Sequence, residues 1–362
     1  MRALVMLLML LMLWGAAVQA QSIDPAAFAA LNKAQQAQQN GDYSAAGNSL
    51  RAALEQASDG SIEQALVEQR LGYLAIARDR NAEAIGWLRK ALSREQLDAE
   101  AASQDRRNLA QLLAAEGQAR EAAALLETEL AAGSLPRENR RLLVQLYNQL
   151  EQYSKALPLA EQVVREEPGV EAVWYQLLVG MNYRLQRYEA AERWLKVLLK
   201  REPGNAEYWR QLAGMQSLDK RQRAAAGTLR LAYEAGVRFK AQDLDNLVAL
   251  QVNAGAPWQA ARLLEALLKR QLLAANDARQ ERLAQLWQQA RDHDRAKSAW
   301  TALARSSGRA DHWLRVAAIQ LNQGDWEELL SSLELARPAA SAEQRRTLNQ
   351  WASYARQAQE EG

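Results

Sequence analysis

Two histidines and no cysteine make up the whole stock of imidazole and thiol in this 362-residue chain. His293 stands between Asp292 and Asp294, and these ligand types can hold a metal ion. Adjacent residues on a helix point in different directions, so the triplet reads as a solvated turn and not as a ligand set. His312 precedes Trp313 and reads as a residue at a helix start. The lack of cysteine removes thiolate catalysis and cysteine-bound zinc. There is no Gly-x-Ser-x-Gly elbow, no phosphate-cradling glycine loop and no His-Glu-x-x-His pair. Carboxylates are spread as on any helical surface, and no nucleophile–base constellation emerges. The residues therefore predict no catalytic site, no metal and no cofactor.

The elements that carry these residues come from a recurring cassette. Its clearest copy begins Trp174-Tyr175-Gln176-Leu177, passes through Arg187-Tyr188-Glu189-Ala190-Ala191 and closes at Glu202-Pro203-Gly204; the next copy begins at Trp209. A period of about 34 residues marks a stack of helix pairs. Each pair is too small to bury its apolar stripes alone, and stacking buries them as one core. Further copies run through Gly41, Tyr43, Ala46, Leu50 and Ala53; through Leu71, Gly72, Ala84, Leu88 and Ala91; and through Trp313, Val316, Ala317, Gly324, Trp326, Leu333 and Ala336. Fainter copies fill the gaps, and about nine units cover residues 25–338. The first three are more widely spaced, which predicts longer helices or linkers there.

This pattern resembles the tetratricopeptide repeat (TPR) family. The resemblance implies an all-α, superhelical α-α solenoid of about nine helix pairs over residues 21–338. Residues 339–362 are expected to add a capping helix, because Leu348, Trp351, Ala352 and Ala355 fall at helical spacing opposite a charged face. Pro257 suits a first helical position. Pro158 falls inside an expected helix, where it removes a hydrogen bond to residue 154 and favours a bend.

Ahead of the repeats, Met1 and Arg2 lead into the apolar run Ala3–Leu13, followed by Gly15-Ala16-Ala17-Val18-Gln19-Ala20. This is the form of a secretory signal peptide, residues 1–20, cleaved after Ala20. The run is shorter than the roughly 20 residues that cross a bilayer. With no cysteine after it, no lipid anchor is expected, and the destination is the periplasm. Lys and Arg total 45 against 43 Asp and Glu, so the charge is nearly balanced. Nucleic acid is not an expected partner. The run Asp219-Lys220-Arg221-Gln222-Arg223 reads as a solvated inter-helix turn.

In TPR proteins the first helix of each pair lines a groove that takes the ligand. Carried onto this chain, the resemblance implies a protein-binding face at Arg107, Gln111, Arg141, Gln145, Asn148, Tyr175, Val179, Asn182, Tyr183, Arg210 and Leu218. A narrower likeness rests on Tyr208-Trp209-Arg210-Gln211-Leu212-Ala213, Leu231-Ala232-Tyr233-Glu234-Ala235-Gly236, Asn246-Leu247-Val248-Ala249-Leu250 and Gly255-Ala256-Pro257-Trp258-Gln259-Ala260-Ala261. It is similar to the exported TPR proteins (the TtpC type) that accompany TonB–ExbB–ExbD systems in iron–siderophore uptake. That likeness implies a non-enzymatic adaptor with TonB, ExbB or ExbD as partners. The alternative of the same fold is a scaffold for envelope biogenesis, in polysaccharide export, cell-wall control or outer-membrane assembly.

Overall fold

A computed structural model of the chain describes residues 23–167 and 169–361. The expected signal peptide and Pro168 lie outside the described residues. Within them every regular element is helical. Nine antiparallel pairs follow one another: α1 (Pro25–Gln39) with α2 (Tyr43–Gln56), α3 (Ile62–Ala77) with α4 (Asn81–Ser93), α5 (Ala99–Ala115) with α6 (Ala119–Ala131), and α7 (Arg137–Gln149) with α8 (Tyr153–Glu166). Then come α9 (Ala172–Arg184) with α10 (Tyr188–Arg201), α11 (Ala206–Leu218) with α12 (Gln222–Glu234), α13 (Ala241–Asn253) with α14 (Pro257–Lys269), α15 (Asp277–Gln289) with α16 (His293–Ser307), and α17 (Ala310–Gln323) with α18 (Trp326–Ala336). A last helix, α19 (Ala342–Glu361), closes the series. We call the first helix of each pair A and the second B. The helices divide into two compact units between Val170 and Glu171, the first holding α1–α8 and the second α9–α19.

One small residue on seven of the nine B helices explains why those pairs close. Ala84, Ala122, Ala156, Ala191, Ala225, Ala260 and Ala296 are all fully buried. A methyl group there lets the neighbouring backbone approach, while Leu and Trp fill the space on either side. Gly72 on α3 is the extreme case: a Cβ at that position would lie 2.9 Å from Leu88 Cγ and Cδ2 on α4. In the second unit the core runs from Ala213 to Ala355 and includes the fully buried Trp287 and Trp300.

The A-to-B turn repeats as faithfully as the core. Each A helix ends in a residue with positive φ: Gly41, Asp79, Gly117, Glu151, Gln186, Lys220, Gly255, Arg291 and Gly324. The next N–H then reaches back to a carbonyl in the last helical turn, as in Arg187 to Asn182 (2.8 Å), Arg221 to Gln216 (2.8 Å) and Asp292 to Trp287 (3.0 Å). This left-handed closure satisfies carbonyls that the helix end would otherwise orphan. Five of the nine positions carry a side chain where glycine fits best.

Several expectations meet their outcome here. The A helices of the first three pairs are the long ones, with 15, 16 and 17 residues against 13 in α7, α9, α11, α13 and α15. Pro257 opens α14 at its first turn. Pro158 sits inside α8, which continues to Glu166 without that N–H. On α19, Leu348, Ala352 and Ala355 are buried in the core of the second unit. Tyr354 meets Trp326 edge-on at 5.7 Å.

Candidate protein-binding surface on the A helices

Aligning the A helices by their left-handed ends puts one stripe of residues on each outward face. On α5 the stripe is Arg107 and Gln111; on α7 it is Arg141, Gln145 and Asn148. On α9 it is Gln176, Gly180 and Tyr183, and on α11 it is Arg210, Gly214 and Ser217. The spacing i, i+4, i+7 keeps each set on one helical face. All of these residues are exposed or half-buried.

The stripe corrects the sequence reading in the fifth pair. Tyr175, Val179 and Asn182 are 5%, 6% and 1% exposed and belong to the core. The first two lie one residue before Gln176 and Gly180. A single residue turns a helix by about 100°, which carries a side chain from solvent to core. Tyr175 makes its contacts inside the unit: its hydroxyl accepts a 2.9 Å hydrogen bond from Arg201, and its ring lies 5.9 Å from Trp194. Asn182 donates back to the Leu178 carbonyl at 2.7 Å. Leu218, at 48% exposure, sits just beyond the stripe on α11, and Tyr183 is 44% exposed within it.

The three stripe arginines are held by acids of their own unit. Arg107 reaches Glu129 (3.2 Å), Arg141 pairs with Glu167, and Arg210 bonds Asp243 (3.0 Å) and also Glu207. They stitch helices together and leave the amides, glycines and Tyr183 as the accessible chemistry.

Two fully buried carboxylates organise the first unit, and the sequence did not single out either. Glu129 on α6 is fully buried and accepts from Arg106 Nε (2.6 Å), Arg107, Ser103 and Ser134 (3.2 Å). Burial pushes its carboxyl up, but the hydrogen bonds from Ser103 and Arg106 outweigh burial and hold it below the usual value. Asp105 on α5 is fully buried with only neutral donors, Gln69 Nε2 at 2.8 Å and the Tyr73 hydroxyl at 2.5 Å. Here burial wins and raises the carboxyl above its usual value. Burial and the facing Asp105 also push the Tyr73 phenol up. In the second unit, Glu192 is held by Lys196 (2.7 Å) and by Arg221 of the inter-helix turn. Apart from the i, i+4 pair Glu192–Lys196, the arginines and amides that meet these acids lie on other helices or turns, so only the folded chain shows them as partners.

The candidates for chemistry resolve into structure. Asp292 caps α16, accepting from the Arg295 N–H at 3.2 Å, and His293 is exposed beside it. Among the described residues no group of three or more His, Asp or Glu is placed to hold a metal ion. His312 is the third residue of α17, as a helix-start residue should be, yet it is 2% exposed. Its Nδ1 lies 2.8 Å from Ser307 Oγ and its ring 5.8 Å from Trp300. Among the described residues no helix is long and apolar enough to cross a membrane.

Comparison with known proteins agrees with the pair-by-pair geometry. Residues 147–214, from the end of α7 to the middle of α11, match the tetratricopeptide repeat family. These residues are tetratricopeptide repeats. A structure of Naa15/Naa10 bound to HypK-THB shares the fold with a TM-score of 0.51 and 16% identity over 79% of this chain. This chain spans 46% of the length of that one. A tetratricopeptide repeat protein from Parabacteroides merdae aligns at 16% identity over 72% of this chain and 98% of its own, with a TM-score of 0.37. YrrB, described as a TPR protein with an unusual peptide-binding site, aligns at 16% identity over 52% of this chain and 92% of its own, with a TM-score of 0.38. No curated protein sequence matches the chain. Tetratricopeptide repeats imply a scaffold for holding other proteins.

Proposed function

We propose that this chain is a non-catalytic scaffold, exported to the periplasm, that holds protein partners on its A helices and serves TonB–ExbB–ExbD energy transduction in iron–siderophore uptake. The observation that carries the scaffold reading is the glycine pair on the second unit's stripe. Gly180 and Gly214 sit mid-helix at one register, and a Cβ at either would meet nothing within 4 Å. A glycine inside a helix costs about 0.5–1 kcal/mol relative to alanine. Nothing in the unit's own packing repays that cost, whereas close approach of a partner backbone would. Tyr183, exposed beside them, is a rigid amphipathic anchor of the kind that dominates protein interfaces.

The finer reading is supported by the signal-peptide form of residues 1–20 and by the succession from Tyr208 to Ala261 that resembles the TonB-associated TPR proteins. Deleting the gene should abolish growth on ferric siderophores while the outer-membrane receptors remain present. Normal uptake in the deletion contradicts the proposal. Affinity capture adds a second check: ExbB, ExbD or TonB peptides support this role, and polysaccharide or cell-wall synthases support envelope biogenesis in its place.

A further inference from the structure

The second unit carries another surface, on its B helices. Arg230 and Tyr233 of α12 and Arg262, Leu263, Ala266 and Arg270 of α14 line a cavity of about 220 Å³. Arg230 and Arg262 also line an adjoining one of about 380 Å³, with Gln251, Trp258 and Gln259. The two form a groove between α12 and α14, with Leu263 and Ala266 at one end and the Trp258 ring at the other.

Charge sets this groove apart from the A-helix stripes. There each arginine meets a carboxylate of its own unit. Here three guanidinium groups face one: Glu234, which accepts from Arg230 at 2.6 Å. Among the described residues the Arg270 side chain donates only to the Tyr233 hydroxyl, at 3.4 Å. Arg262 lies over the Trp258 ring, 5.0 Å from its centroid, and no carboxylate among the described residues pairs with it. Glu265, on the same helix, is not part of the lining. Trp258 itself is 42% exposed. Aromatic rings and arginines that are solvent-accessible in the free protein are the residues that most often carry binding energy.

We infer that this groove docks an acidic, extended peptide segment of a partner protein. Its carboxylates pair with Arg262 and Arg270, which offer the planar fork that matches a carboxylate in two parallel hydrogen bonds. An apolar residue of the segment covers Trp258. The cations lie along an open depression between α12 and α14, floored by Leu263, which is itself buried in the core. This surface is separate from the A-helix face on which the proposed function rests, so either can fail without the other.

Fluorescence anisotropy of the full chain tests the assignment, with a labelled ten-residue peptide of Asp and Glu around one Leu as the probe. The acidic peptide should bind, its glutamine and asparagine counterpart should not, and added salt should weaken binding because the pairs are open to solvent. Arg262→Glu and Arg270→Glu should each weaken binding at least roughly tenfold. Arg262→Lys keeps the charge and should lose less, and Tyr183→Ala on the A face should change nothing. Circular dichroism identical to that of the parent chain identifies the folded variants. Equal binding of the charged and uncharged peptides, or binding that survives both charge reversals, overturns the proposal. So does Arg262-dependent binding to phosphatidylglycerol vesicles without peptide binding, which would make the groove a lipid site.

Discussion

Two glycines, both inside A helices, carry opposite expectations. Gly72 faces Leu88 at a distance no Cβ tolerates, and Gly180 faces open space. Gly72→Ala should therefore destabilise the first unit by about 1–3 kcal/mol through overpacking. Gly180→Ala should stabilise the second unit by about 0.5–1 kcal/mol and weaken partner binding. Urea denaturation of both variants checks the signs. The two buried carboxylates differ in the same way. Glu129 sits below its usual value, so its contribution is present above about pH 4.3 and is lost as pH falls through its lower folded value. Asp105 sits above its usual value, so its ionised form costs stability, and that cost grows as pH rises from about 3.9 through its folded value. Glu129→Gln should then cost about 2–3 kcal/mol at neutral pH, because Arg106 and Arg107 lose their partner. Asp105→Asn should gain on the order of 1 kcal/mol at pH 7, with the gain vanishing near pH 4. Unfolding curves at both pH values read each effect directly.

At the scale of elements, the nine turns offer the cleanest test. Gln186 and Lys220 hold positive φ at the ends of α9 and α11. Replacing either with glycine should raise stability by about 1 kcal/mol, since the left-handed conformation costs glycine little. An unchanged or lower melting temperature in both variants would contradict the strain. The closing helix is the other test. Ending the chain after Pro338 removes Leu348, Ala352 and Ala355 from the core and should lower the melting temperature or cause aggregation. An unchanged melting curve would show that α19 is no cap. The helix pairs, the buried alanines and α19 were legible in the sequence because their signal is local and periodic. Gln111, Gln145 and Tyr183 fall on the exposed faces of their helices. Tyr175 and Val179 were misplaced because large residues at adjacent positions blur a stripe by one step, and one step is a quarter-turn of helix. Glu129 and Asp105 were not legible, because their main partners come from other helices, and the groove was not, because α12 and α14 supply its two walls. His312 looked like an ordinary helix start because burial leaves no mark on a single residue.

Across the whole molecule, the folded chain ties the arginines of its A-helix stripes to its own acids. What it leaves accessible on those stripes are amides, glycines and aromatic side chains. That arrangement suits contact with other polypeptides, and under the proposed function the A-helix stripe of the second unit makes it. Site-specific photocrosslinking in living cells tests it most directly, with the reactive side chain placed at Gly180, Tyr183 or Gly214 and, as a control, at Glu161 on α8. Discrete protein adducts containing TonB, ExbB or ExbD peptides are expected from the three stripe positions, and none from the control. Stripe positions that yield no adduct beyond the control would contradict it.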